Sequence, residues 1–237
     1  MKKQQLEYRS ALIIVLVVCW GCAGKPHELQ LPWVGPEAAL YITLFEVLDY
    51  QGKAEGALMP DWVHQYNYRA IQGIEDMAEY YDSYVFVGIN SGKHYNALRL
   101  WAEAWTVHQD FALLVMERVH KRLVNAIQAH PETETPVYPD YEYGDFFEEA
   151  LKAVADTYYN DVLQRAVFWQ LKRYFQEDGS TVDREVYEFL VLSSITKEVL
   201  EKQIQALFAA LPPLKTPLTA QQEAAVKRIT EHFFDTF

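Results

Sequence analysis

Between residues 84 and 128 the spacing of apolar positions changes, and that change organises the rest of the chain. Tyr84-Val85-Phe86-Val87-Gly88-Ile89 is short, β-branched and aromatic, and Asn90-Ser91-Gly92 closes it. This predicts a buried strand followed by a turn, with Gly92 supplying a positive φ. From Tyr95 to Gln128 the apolar residues fall at three- and four-residue steps instead: Leu98, Ala102, Trp105, Ala112, Val115, Val119, Leu123 and Ile127. Arg99, Glu103, Asp110, Glu117, Lys121 and Arg122 fill the gaps, so the pattern predicts one amphipathic helix of about 30 residues. His130-Pro131 stops it.

Helical spacing recurs on both sides. Pro36 and Glu37 suit a first helical turn, and Leu40, Leu44, Val47 and Leu48 give that helix an apolar face as far as Gln51-Gly52. Gly52, Gly56 and Pro60 mark a loop, and residues 69–82 return to helical spacing through Ile71, Ile74 and Tyr81. Residues 131–144 hold Pro131, Pro136 and Pro139 among acids, a long acidic loop, and Asp145 caps a helix from Phe146 to about Tyr159. Two alternating runs follow. Ala166 to Phe175 sets Val167, Trp169 and Leu171 against Ala166, Phe168 and Gln170, and Glu185 to Ile195 places Tyr187, Phe189, Val191 and Ile195 on one parity. With the turn residues Gln176 to Ser180 between them they read as a hairpin; the rival is a single helix over 146–175. Residues 198–211 are helical, Pro212, Pro213 and Pro217 form a spacer, and Thr219 caps a last helix to about Phe234.

The expected fold class is therefore α+β: a long helix and shorter helices packed on a small antiparallel sheet, with flanking N- and C-terminal helices. The alternative is all-α. The expected division is 1–21 signal peptide, 22–57 tether and N-terminal helix, 58–210 globular domain, and 211–237 Pro-rich spacer and C-terminal helix.

The N-terminus changes the picture most. Lys2, Lys3 and Arg9 precede an apolar run from Ala11 to Cys19, and Gly21 stands directly before Cys22. The run is too short for a membrane span, which needs about 20 apolar residues, and reads as a secretory signal. A small residue before a cysteine at its end resembles the lipobox of bacterial lipoproteins, which implies cleavage before Cys22 and lipidation of its thiol, palmitate among the acyl groups. Cys19 and Trp20 stand where the usual pattern has a branched aliphatic and a small residue. An uncleaved anchor and a plain secreted protein are the alternatives.

Cys19 and Cys22 are the only cysteines, so a mature chain beginning at Cys22 has no disulfide and no thiol nucleophile. The formal charge is −12. Loss of residues 1–21 removes Lys2, Lys3, Arg9 and Glu7 and leaves about −14, a surface that opposes nucleic acid and anionic headgroups. Membrane attachment then rests on the acyl group, and stable anchoring takes more than one chain.

No constellation of side chains specifies catalysis, a metal or a cofactor. Gly88-Ile-Asn-Ser-Gly92-Lys93 has three residues between its glycines where a phosphate loop needs four, and His94 stands in place of the hydroxyl residue. Glu117-x-x-His120 is half of a di-iron motif without a second pair. Ser193-Ser194 lie inside a predicted strand, without a nucleophile elbow. Glu148, Glu149 and Asp156, on one predicted helix, are the candidate acids of a hydrolase if they face a pocket lined by Trp101, Trp105 and Trp169. Tyr138, Tyr141 and Tyr143, set among acids, are the candidate contact surface.

The order of parts from Met59 carries a resemblance. Pro60-x-Trp62-Val63 precedes a strand ending in glycine (Val85 to Gly88), then a Ser/Gly turn, a long Ala- and Arg-rich helix, and a strand pair joined by an Asp-Gly turn that runs into a helix at Lys197. This resembles outer-membrane lipoproteins of the lipoprotein-20 type and their flagellar-ring relatives of the FlgP and FlgT N-domain kind, and also spirochaetal lipoproteins. The resemblance implies a non-enzymatic surface or periplasmic component with a helix packed on a small antiparallel sheet. The segment 69–82, the acidic loop and the terminal helices depart from it, and only Cys22 carries over as a functional residue.

Two functions remain from the sequence. One is a lipid-anchored envelope protein, periplasmic or outer-membrane, with a structural or protein-interaction role and a protein partner in the envelope, without cofactor or nucleic acid. The other is a periplasmic small-molecule-binding lipoprotein or acid-residue hydrolase.

Overall fold

Two long alternating strands set the architecture. The protein's structure, a computed structural model, describes residues 44–129 and 143–237. Strands β1 (Phe45–Tyr50), β2 (Ser83–Gly92), β3 (Leu163–Phe175) and β4 (Val182–Thr196) form one sheet in the order β1-β3-β4-β2, every neighbouring pair antiparallel. The helices are α1 (Asp61–Glu75), α2 (Tyr95–Ala104), α3 (Gln109–Ala129), α4 (Gly144–Ala155), α5 (Lys197–Ala209) and α6 (Ala220–Glu231). The fold is α+β.

Successive strand residues point to opposite faces, and both faces are covered. Tyr84, Phe86 and Ile195 meet α3, α4, α5 and α6 on one face, with Phe111, Val115, Val119 and Leu123 of α3 fully buried there. Phe189 and Val191 continue that face under Leu98 and Ala102 of α2. On the other face Val85, Val87, Phe168, Leu190 and Leu192 pack against Trp62, Val63 and Ile74 of α1. At about 1.5–3 kcal/mol for each large side chain removed from water, the four α3 residues alone contribute on the order of 8 kcal/mol. The α3 stripe is the main support of the first face.

Several predicted elements differ in the structure. Residues 45–50, expected at the end of a helix, form β1. Its register slips between Val47 and Asp49, so Leu48 is a bulge that breaks the two-residue alternation and leaves a helix-like spacing. The helix expected over 69–82 begins earlier, at Asp61, and is kinked at Ala70 (φ 52°, ψ −148°). The single helix expected from Tyr95 to Gln128 is two helices. Trp105 leaves helical geometry at ψ 128°, and a cap restarts the chain: Thr106 Oγ1 accepts from the Gln109 N–H at 3.3 Å while Asp110 accepts from the Thr106 N–H at 2.7 Å. Gly92 is the last residue of β2 and does not have a positive φ. Thr219 does cap α6, through a reciprocal capping box with Gln222.

The two rims of the sheet are built differently. At β2, Glu75 Oε1 accepts from the Val85 N–H at 3.2 Å and Arg118 Nη1 donates to the Val85 carbonyl at 3.4 Å. Those two side chains pair with each other at 2.8 Å and are largely buried. At the opposite rim β1 pairs with β3 only from Gln170 to Tyr174. From Leu163 to Phe168, β3 is bonded to β4 alone among the described residues.

Candidate functional site

The break between α2 and α3 creates a cleft. Trp105, turned out of the helix, lies so close to the sheet that a Cβ at Gly88 would sit 2.1 Å from its ring. Only glycine admits that approach. Tyr95, Trp105, Val167, Trp169 and Phe189 wall a cleft of about 460 Å³, and Gln51, Gln164, Arg99 and Glu103 complete its lining. Tyr95 is the hub of the aromatic wall, with its ring centroid 5.3 Å from those of Trp169 and Phe189 in edge-on geometry. Arg99 and Glu103 are more than half exposed and lie 3.7 Å apart. Trp105 Nε1 is buried without an acceptor among the described residues. The cleft offers stacking surface, two side-chain amides and one exposed ion pair, a set suited to holding a ligand.

A second polar cluster lies on the other face, between the sheet and α1. Gln170, Lys172 and Glu188 share one face of β3 and β4 and are buried. Lys172 Nζ is 3.0 Å from Glu188 Oε2, Gln170 Nε2 donates to the same oxygen at 3.2 Å, and the Tyr174 hydroxyl donates to Oε1. Asn67 and Gln170 exchange amide bonds at 2.9 and 3.0 Å, which ties α1 to the sheet. Lys172 also sits 4.2 Å above the Phe45 ring. Burial pushes the Tyr66 phenol up to about 12, with the Glu188 charge adding to it, and burial with the Glu188 bond raises Tyr174 in the same direction. Gln170, Lys172, Glu188, Asn67 and Tyr174 each have a partner, and both phenols titrate further from neutrality than usual. The cluster is a hydrogen-bonded brace for α1.

The structure separates residues that the sequence grouped. Cys22, Tyr138 and Tyr141 lie outside the described residues. Tyr143, read as part of a contact surface, is buried at the start of α4 among core residues, because the chain turns there into the apolar face carrying Phe146 and Phe147. Trp105 and Trp169 do line one cleft, whereas Trp101 backs Trp105 edge-on at 5.4 Å. Glu148, Glu149 and Asp156 are not in its lining; Glu148 is exposed 3.6 Å from Lys215, and Asp156 is exposed at the end of α4. Gly88 to Gly92 are strand residues paired with Val191 to Tyr187, not a loop gathered around an anion. Glu117 forms an exposed helix pair with Lys121 at 2.7 Å. Ser194 accepts from Arg165 Nε at 2.7 Å, and Ser193 Oγ is buried without a partner among the described residues. Among the described residues no three His, Cys, Asp or Glu could hold a metal ion together, and no helix is long and apolar enough to cross a membrane.

No family model matches the chain, and no curated protein or solved structure matches it.

Sequence reasoning missed Lys172, Glu188 and Gln170. Their signal was present: three polar residues on the parity that carries Ala166, Phe168, Val186, Leu190 and Leu192 in the middle of the two strands. It missed Gly88 as the seat of Trp105, because a contact across the sheet leaves no periodic mark.

Proposed function

We propose that the chain is a lipid-anchored protein of the bacterial cell envelope, periplasmic or outer-membrane, whose folded part acts by binding another protein rather than by catalysis. The observation that carries this reading is the apolar run Ala11 to Cys19 behind Lys2, Lys3 and Arg9, ending at Gly21-Cys22. The acidic balance of −12 supports attachment through an acyl group rather than a basic patch. The order of parts that resembles lipoprotein-20-type lipoproteins supports the same role.

Growth of a bacterial host with an alkyne-tagged fatty acid tests it. The label is expected on the wild-type chain, and mass spectrometry is expected to find an acylated Cys22 as the first residue. Cys22→Ser is expected to lose the label and leave the membrane fraction. An intact leader, or an unmodified amino end elsewhere, overturns the proposal.

The 460 Å³ aromatic cleft favours a second reading, a lipoprotein that binds a small molecule. The two readings part on what occupies the cleft, a free ligand or a side chain of a partner.

A further inference from the structure

We infer that the uncovered half of β3 is a strand-addition site, where an extended segment of a partner protein pairs with Leu163–Phe168. The inference deepens the binding role proposed above and rests on it.

The backbone carries the first part of the argument. Trp169 C=O accepts from the Gln51 N–H at 3.1 Å, and Phe175 N–H donates to the Leu44 carbonyl at 3.0 Å, so from Val167 onward the odd-numbered residues of β3 turn their polar groups to this rim. Before the bulge at Arg165 the parity changes and Gln164 takes that position. Alternation puts the N–H and C=O of Val167 on the same side. There β1 has already ended, the chain leaving the sheet at Gln51 and Gly52. Val167 is 37% exposed and Leu163 50%. Six residues of edge without a partner strand among the described residues, about 20 Å and bulged at Arg165, is the length of an ordinary strand.

Side-chain space carries the second part. The edge runs between two hollows on opposite faces of the sheet. One is the 460 Å³ aromatic cleft; the other, about 300 Å³, is lined by Leu58, Pro60, Trp62, Ala166 and Phe168. Gln51 and Val167 border both. Successive side chains of an added strand point to opposite faces, so neighbouring residues of the guest would enter one hollow each. Main-chain bonds plus alternate pockets is how edge-binding domains combine affinity with selectivity.

Charge decides the guest. Arg165, the bulged residue of β3, is exposed, bonds Ser194 through Nε, and pairs with no carboxylate among the described residues. Its guanidinium leans across the sheet toward β4 but remains exposed, and an exposed cation with no carboxylate partner among the described residues, beside this edge, favours an acidic residue on the added strand among apolar side chains. A second copy fits poorly: antiparallel self-pairing would bring two bulges and two Arg165 side chains together and press two anionic bodies against each other.

The test uses the full chain in detergent micelles and a display library of random ten-residue peptides. Enriched peptides are expected to alternate apolar and polar residues, to carry an acid, and to slow hydrogen exchange of the Val167 amide. Val167→Pro removes only the outward N–H and leaves the ladder to β4 intact, and it should weaken the enriched peptides at least tenfold. Val167→Lys, which keeps the backbone, should do the same by placing a charge on the rim. Arg165→Glu should shift enrichment to basic peptides. Absence of enrichment above an unrelated protein, or equal binding to the parent and to both Val167 variants, overturns the site. A dimer by light scattering that Val167→Lys dissociates overturns the foreign guest in favour of a second copy. Peptide binding in micelles does not depend on acylation, so an unlipidated Cys22 and a peptide-blind edge are separate results.

Discussion

The rims of the sheet solve the same problem in opposite ways. At β2 the backbone of Val85 is capped by Glu75 and Arg118, which are held by each other and by the rings of Tyr84, Phe86 and Phe237, 4.8 to 5.4 Å from the guanidinium. At β3 the backbone of Val167 faces outward with no cap among the described residues. An open edge invites pairing, and proteins usually blunt it with charge, bulges or coverage. Here a largely buried ion pair caps the backbone of one residue of the β2 rim, Val85, and a single bulge with one arginine tempers the other rim. The difference is local: it rests on one capped residue, Val85, at one rim and on where β1 stops at the other.

The largest effect is expected from opening the closed rim. Arg118→Ala leaves the buried Glu75 carboxylate without its cation and the Val85 carbonyl without a donor. It should cost about 3 kcal/mol, read as a lower urea midpoint, with faster hydrogen exchange at the Val85 amide. If the midpoint stays within error, the rim is not closed by this pair. Next is Gly88→Ala, whose methyl meets the Trp105 ring. Displacing the indole should cost about 2 kcal/mol and reshape the cleft beside the open rim, visible as a shift in tryptophan emission.

A gain is expected at Ala70. Its φ of 52° and ψ of −148° suit glycine, and the kink there lets one part of α1 lie over β3 and β4 while the other carries Glu75 to β2. Ala70→Gly should stabilise the protein by about 1 kcal/mol, measured by urea melts. A loss instead would mean that the kink is not held at that residue. The smallest effect concerns the turn between β3 and β4. Bonds from Thr181 and Ser180 hold the Asp178 carboxyl down to about 2. A carboxyl depressed on folding adds stability above its unfolded value, near pH 4, and loses it as pH falls toward 2. Asp178→Asn should flatten the stability profile across that window and leave both rims unchanged.

How much of this was legible follows from where each element takes its order. Strands β2, β3 and β4 could be read, β2 from a short unbroken run of β-branched and aromatic residues and β3 and β4 from the alternation of their apolar residues. Helix α6 could be read from Thr219 and Gln222. Strand β1 could not, since the bulge at Leu48 turned its alternation into a helical spacing. The break after Ala104 was signalled by Thr106 and Asp110 but hidden by apolar spacing that continues through it. Of the candidate site, Trp105 and Trp169 were grouped correctly and their acids were not, because helix spacing places Glu148, Glu149 and Asp156 on one element without saying which way it faces. The bare rim was invisible: it depends on β1 ending six residues short of its partner's start, which no single segment records.

The indoles have a practical consequence. Trp105 and Trp169 border one hollow and Trp62 the other, while Trp101 backs the first from behind. Whatever settles along that side of the sheet must alter the surroundings of fluorophores the protein already owns. Occupancy can therefore be followed by intrinsic emission, label-free and in real time, with Trp101 as a neighbour that reports reorganisation without touching the guest.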